Sequence, residues 1–238
     1  RVGTANGISE EYTGPFAGDS QKAKDLRTAF LMAYPRDEIV DKLIKPINSS
    51  AVRMDSLLLF PGEPGYTEMV KDSGVSKYTK GTQAQREADA LALVRKYSAT
   101  DVKVNLLWGT PSNARRAASA QIVKAALGRA GFDVNAPGVV AWSSQLDSSA
   151  WDAEFFAWVK SAITQEGNAD LFYSDGGNNL LGYRNKTVDA AVEKLRKTLL
   201  PEKDKLAQYT IIEKQIMSDA LTLPIFQHPG VTAVNKKL

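Results

Sequence analysis

An α/β fold is the class this sequence predicts. Short apolar runs of strand length alternate with longer runs whose apolar residues recur at three- and four-residue spacing. The clearest unit is residues 102–108, strand-like, followed by a turn, the Ala-rich run 114–130 and then 132–134. Composition agrees: 238 residues, 43% hydrophobic and 24% charged, suit a globular chain of one large domain or two small ones. No apolar run approaches the roughly 18 residues of a membrane span.

The elements follow in order. Ala23, Leu26, Phe30 and Ala33 mark a helix that Pro35 ends, and Ile39, Val40, Leu43 and Ile44 mark a second that Pro46 ends. Residues 50–82, with PGEPGY, Gly74 and Gly81, predict an extended, loop-rich connection. Ala84, Ala88, Leu91 and Val94 place a helix over about 82–97. After the strand at 102–108, Ser112 or Asn113 is the candidate N-cap of the helix over 114–130, which Gly131 closes. Residues 132–134, 139–142 and 154–158 read as short strands. Val188, Ala191, Val192, Leu195 and Leu199 form one helical stripe. Leu206, Tyr209, Ile212 and Ile216 form another after Pro201, and 221–226 reads as a closing strand.

Several function classes are excluded or weakened. Cysteine is absent, so thiolate metal sites and cysteine nucleophiles are ruled out. His228 is the only histidine, which argues against His-based metal sites and triads. The 30 basic and 27 acidic residues nearly balance, and no basic cluster interleaves with aromatics, so no nucleic-acid partner is expected. Neither a cofactor nor a metal site is indicated. The turn Gly109–Asn113 follows a strand and precedes a helix, as phosphate-binding turns do. It lacks the glycine pattern of either nucleotide-binding loop. An α/β enzyme that uses this turn stays open as an alternative.

Ligand-holding chemistry is concentrated in residues 139–189. Trp142 and Trp158 close apolar runs there and offer flat aromatic surface. Asp175, Asn178, Asn179 and Tyr183 then offer a polar rim, or else simple turn chemistry. Asn185, Thr187 and Asp189 read as helix-start residues.

Four stretches together resemble a known family. LRTAFLMAYPRDEIVDKLI resembles the helix pair of the oligopeptide- and dipeptide-type extracytoplasmic solute-binding proteins of ABC importers. VKVNLLWGTPSNARRAASAQIVKAALGRAGFDVNAP resembles that family's strand, turn, long helix and strand. NNLLGYRNKTVDAAVEKLR and LPIFQHPGVTAV resemble its later helix and closing strand. The resemblance implies a periplasmic-binding-protein-like lobe, a mixed sheet flanked by helices, with residues 1–238 forming the second of two lobes. It implies peptide capture by lobe closure, with a first, N-terminal lobe and a membrane permease as partners. It also implies an extracytoplasmic, lipid-anchored or periplasmic setting and no enzymatic activity. The chain opens with RVGTANG, which shows no basic-then-apolar signal segment, and the resemblance implies that Gly3 and Val234 lie close together.

The same resemblance places Trp142 in a side-chain pocket wall and Trp158 after the strand that faces the cleft. Many relatives carry an Asp three residues after that tryptophan to pair with a peptide amine. Here the position is Ser161, which is neutral, and the Arg of some relatives three residues before it is Phe155. Lys160 is a candidate for an anionic group. The candidate ligand contacts are thus Trp142, Trp158, Ser161, Asn178, Asn179 and Tyr183. Loss of the charged anchor keeps an oligosaccharide as an alternative ligand, since sugars stack on tryptophan and bond to neutral amides. A stand-alone interaction domain is the third alternative.

Overall fold

The structure is a computed structural model that describes residues 1–159 and 164–228. Its sheet forms around β1 (Val102–Gly109), which pairs in parallel with β2 (Phe132–Asn135), β3 (Gly138–Val139) and β4 (Ala153–Glu154). β3 takes up against the end of β1 the same register that β2 holds at its start, from Val102↔Phe132 to Trp108↔Gly138. Ala136 and Pro137 interrupt that ladder. Proline has no N–H to donate, and the indole N–H of Trp108 takes the Ala136 carbonyl instead, at 2.9 Å. Parallel strands need covering on both faces, and helices supply it on the core side.

Helices α1 (Gln21–Ala33), α2 (Arg36–Ile39), α3 (Tyr66–Ser73), α4 (Gln83–Arg95) and α5 (Ala114–Arg129) precede or follow β1. Then α6 (Lys186–Lys197) and α7 (Glu202–Ser218) complete the set among the described residues. Their ends are chemically marked. Ser20 caps α1, Asn113 caps α5, and Thr82 with Gln85 forms a full capping box on α4. Gly131 ends the α5 unit at φ +86°, a left-handed conformation that favours glycine.

Two apolar clusters hold the chain. One joins Phe16, Leu26, Phe30 and Ile39 to Val104, Leu106, Val123, Leu127 and Phe132, around the sheet, α1, α4 and α5. The other joins Leu58, Met69, Phe172, Val188, Val192, Leu195, Ile212 and Ile216, around α3, α6 and α7. Leu57 packs against both. Polar bonds reinforce that junction. The buried Glu213 of α7 accepts from Ser56 Oγ and the Leu57 N–H, each at 2.7 Å.

Some expected elements differ. The connection over 50–82 contains α3 and a 3₁₀ turn, Val75–Tyr78. Gly65 and Gly74, at φ +83° and +85°, start and stop α3 instead of marking loop. The strand expected over 139–142 stops at Val139, and Trp142–Gln145 is a 3₁₀ turn. Of 154–158, only Glu154 lies within a strand. Residues 221–226 make a single antiparallel bridge, Arg53↔Phe226. Pro224 cannot donate there, and its carbonyl accepts from Arg36 Nη1 at 2.9 Å. Val234 lies outside the described residues. Gly3 packs against Gly182, where an added Cβ would sit 2.6 Å from the Gly182 carbonyl oxygen.

Candidate functional site

Alternation along β4 sets the site. Ala153 and Phe155 turn into the sheet core, beside Leu106 and Tyr34. Asp152, Glu154 and Phe156 therefore share the opposite face. Asp152 is fully engaged, accepting from the Tyr12 hydroxyl at 2.8 Å and the Asn105 N–H at 2.7 Å. Phe156 meets Trp142 edge-on at a ring separation of 5.3 Å and Trp158 at 4.6 Å. The three rings form one aromatic wall at the C-terminal ends of parallel strands, where α/β sheets offer binding surface.

Each ring has a local reason for its place. Trp142 lies over Gly109, where any Cβ would fall 1.8 Å from its Cδ1. Only a residue without Cβ leaves that space. Trp158 follows the last paired residue of β4 and is 42% exposed. Beside this wall lies a cavity of about 630 Å³ that takes in both faces of β4 and Leu106 of β1. Glu154, Phe156, Trp158, Tyr34, Asn178 and residues of the 220–226 segment line it.

Four residues of the cavity wall carry buried polar atoms with no hydrogen-bond partner: Arg1 Nη2, Tyr34 Oη, Trp151 Nε1 and Glu154 Oε2. Such atoms are costly unless something satisfies them. Burial pushes the Glu154 carboxyl up to about 7, against the lowering effect of the Arg1 guanidinium. Burial likewise raises the Tyr34 hydroxyl well above its ordinary value, opposed by Arg36.

Of the residues expected at the site, Trp158 and Asn178 line the cavity, and Trp142 stands beside it through Phe156. Asn178 is exposed. Asn179 and Tyr183 are placed elsewhere. Both are buried, and Asn179 spends its amide on the carbonyls of Tyr173 and Tyr183 and on the Tyr183 N–H. Tyr183 donates its hydroxyl to Asp219 at 2.7 Å. These two fasten the loop to the end of α7, which is the turn chemistry left open above. Ser161 and Lys160 lie outside the described residues. At Gly109–Asn113, the Asn113 side chain accepts from the Arg116 N–H and the Asn113 N–H goes to the Thr110 carbonyl. Sequence reasoning passed over Phe156 and Glu154. The alternation of DAEFFAW was the signal that could have found them.

Known proteins can be set beside this geometry. The sequence profile of the bacterial extracellular solute-binding proteins, family 5 Middle, matches residues 12–180. The chain belongs to that family. Oligopeptide-binding protein OppA of Mycobacterium bovis is 28% identical over 223 residues, which are 90% of this chain and 36% of that protein. The chain thus spans about a third of the length of the curated relatives it matches. Haemophilus influenzae OppA, solved in complex with RPPGFSPFR, superposes with a TM-score of 0.65 at 22% identity, over 86% of this chain and 39% of that one. The Escherichia coli murein tripeptide binding protein MppA superposes at 0.64 and 20% identity, over 96% of this chain and 43% of that one. The family 5 fold is therefore a periplasmic-binding-protein-like arrangement of a parallel sheet flanked by helices. Among the described residues, no helix is long and apolar enough to cross a membrane, and no cluster of acidic or histidine side chains could hold a metal ion.

Proposed function

We propose that this chain is a ligand-holding lobe of the substrate-binding component of an ABC importer, working outside the cytoplasmic membrane. Its ligand is a peptide, held as a second lobe of the full-length protein closes over the cavity, and the closed form is presented to a membrane permease. The observation that carries this reading is the wall of Trp142, Phe156 and Trp158 beside an apolar cavity with a few unmet polar groups. That combination is the ordinary make-up of a small-ligand site. The names of the relatives, oligopeptide-binding and murein tripeptide binding, support the peptide. The wall, among the described residues, offers stacking and hydrogen bonding, which is what a holding role needs.

A second reading, an oligosaccharide, is favoured by one observation: Trp158 and Asn178 are both exposed on the cavity and could stack on and bond to a sugar. Calorimetry of the full-length protein against tripeptides to pentapeptides and against malto- and cello-oligosaccharides separates the two. Peptide binding, weakened roughly tenfold or more by Trp158→Ala, is the expected result, a loss of about 1.4 kcal/mol. Binding of sugars alone would replace the peptide reading.

A further inference from the structure

We propose that Glu154 is a cation receptor: it takes a positively charged ammonium or guanidinium group of the ligand, with Phe156 and Trp158 beside it. This rests on the reading of the cavity as the ligand site and names the chemistry of what enters it.

Three observations lead there. Position comes first. Glu154 pairs with Leu107 in the sheet, two residues before the Gly109 that seats Trp142, and it shares a face with Phe156. The Cα atoms of Glu154 and Phe156 thus lie about one strand repeat apart, roughly 7 Å. A carboxylate next to ring faces is the combination that attracts organic cations.

Availability comes second. The cavity wall holds two acids among the described residues, Asp152 and Glu154. Asp152 is engaged by Tyr12 and Asn105, whereas Glu154 Oε2 is sealed from solvent and has no partner.

Third, no cation of the cavity wall bonds to it among the described residues, although Arg1, whose Nη2 is also unpaired, acts on it through space. Arg1 donates to the carbonyls of Gly3 and Ser148 and lies over the rings of Tyr12 and Trp151. Arg27 of α1 donates to the carbonyls of Phe16, Gly18 and Asp219. Arg116 of α5 goes to Gly109 and Thr110, and Arg115 lies over Phe226 and near His228. A carboxyl raised to about 7 by burial is a poor charge alone and a good partner for an incoming cation. Pairing would lower its pKa again and release a proton on binding.

The test uses the full-length protein, wild type and Glu154→Gln, with thermal unfolding run alongside to establish that the variant is folded. Two peptide pairs probe the charge: Ala-Lys-Ala against Ala-norleucine-Ala for a side chain, and Ala-norleucine-Ala against its N-acetyl form for the terminus. The wild type should prefer the cationic member of at least one pair by tenfold or more at pH 8. That preference should fall by about tenfold at pH 6, as a group with a pKa of about 7 protonates. In Glu154→Gln both the preference and its pH dependence should vanish, along with the proton release seen by calorimetry in buffers of different ionisation enthalpy. No preference in the wild type, or an equal preference in the variant, overturns the proposal. Should none of the peptides bind, the peptide reading fails, and n-butylammonium against 1-butanol decides the inference on tryptophan fluorescence. Equal quenching by the two, or quenching that survives Glu154→Gln, then overturns it.

Discussion

Single buried charges do much of the positioning in this chain. Glu213 is fully buried, and it answers the Ser56 hydroxyl and the Leu57 N–H at the junction of the two clusters. Glu213→Ala leaves both donors without an acceptor, so it should cost about 2–4 kcal/mol in chemical denaturation, with Glu213→Gln costing less. Asp219 is engaged differently. Burial raises its pKa, but hydrogen bonds from Gln215, Lys24 and Tyr183 outweigh that and hold it below the usual carboxylate value. The unfolded chain therefore binds the proton more readily than the folded one. Stability from Asp219 is complete above about pH 4, the unfolded value, and is lost as pH falls through the depressed folded value. Asp219→Asn should lower the melting temperature at pH 7 and flatten its decline below about pH 4. An unchanged acid limb would remove Asp219 from the account. None of these roles was visible in the sequence, because a Glu or Asp in a helical stripe gives no sign of which distant hydroxyl it will meet.

At the scale of elements, legibility followed local chemistry. Helices α1, α4, α5, α6 and α7 were readable because their apolar spacing lies within one stretch of sequence. The fold class was readable for the same reason. What failed depended on contacts between distant segments. Gly65 reads as a breaker but sits against Leu206 of α7, where a Cβ would fall 2.8 Å from Cδ1, and so starts α3. The aromatic wall was half legible: Trp142 and Trp158 stood out, while Phe156, which joins them, reads as one more apolar residue. The seat of that wall gives a test. Gly109→Ala places a methyl group inside the Trp142 ring space and must move the indole or the strand. A shifted tryptophan emission and a loss of roughly 1–3 kcal/mol are expected, whereas Gly128→Ala, with open space at its Cβ, should do neither.

For the molecule as a whole, the two clusters meet at Leu57 and the cavity draws its wall from both, Phe16 and Phe30 from one, Phe172 and Leu221 from the other. Amide hydrogen exchange should accordingly resolve two protected sets, with residues 55–60 no better protected than the weaker one. A single uniform set would argue against two cores. A ligand wall of this kind buries only one side of what it holds, so the lobe alone should bind the full-length protein's ligand at least a hundredfold more weakly, about 2.7 kcal/mol. Equal affinities would make this lobe a complete binding module. One last feature bears on how the chain comes to be. Val2 and Gly3 donate to the Leu181 carbonyl, and Gly3 meets Gly182 where no side chain fits. The ribosome makes these partners far apart in time. At about 5–20 residues per second, roughly ten to forty seconds separate them. The bonds that anchor Val2 and Gly3 to Leu181 therefore form only after every described strand has been made, and until then that stretch has only nearer partners, such as the Gly18 N–H on the Val2 carbonyl.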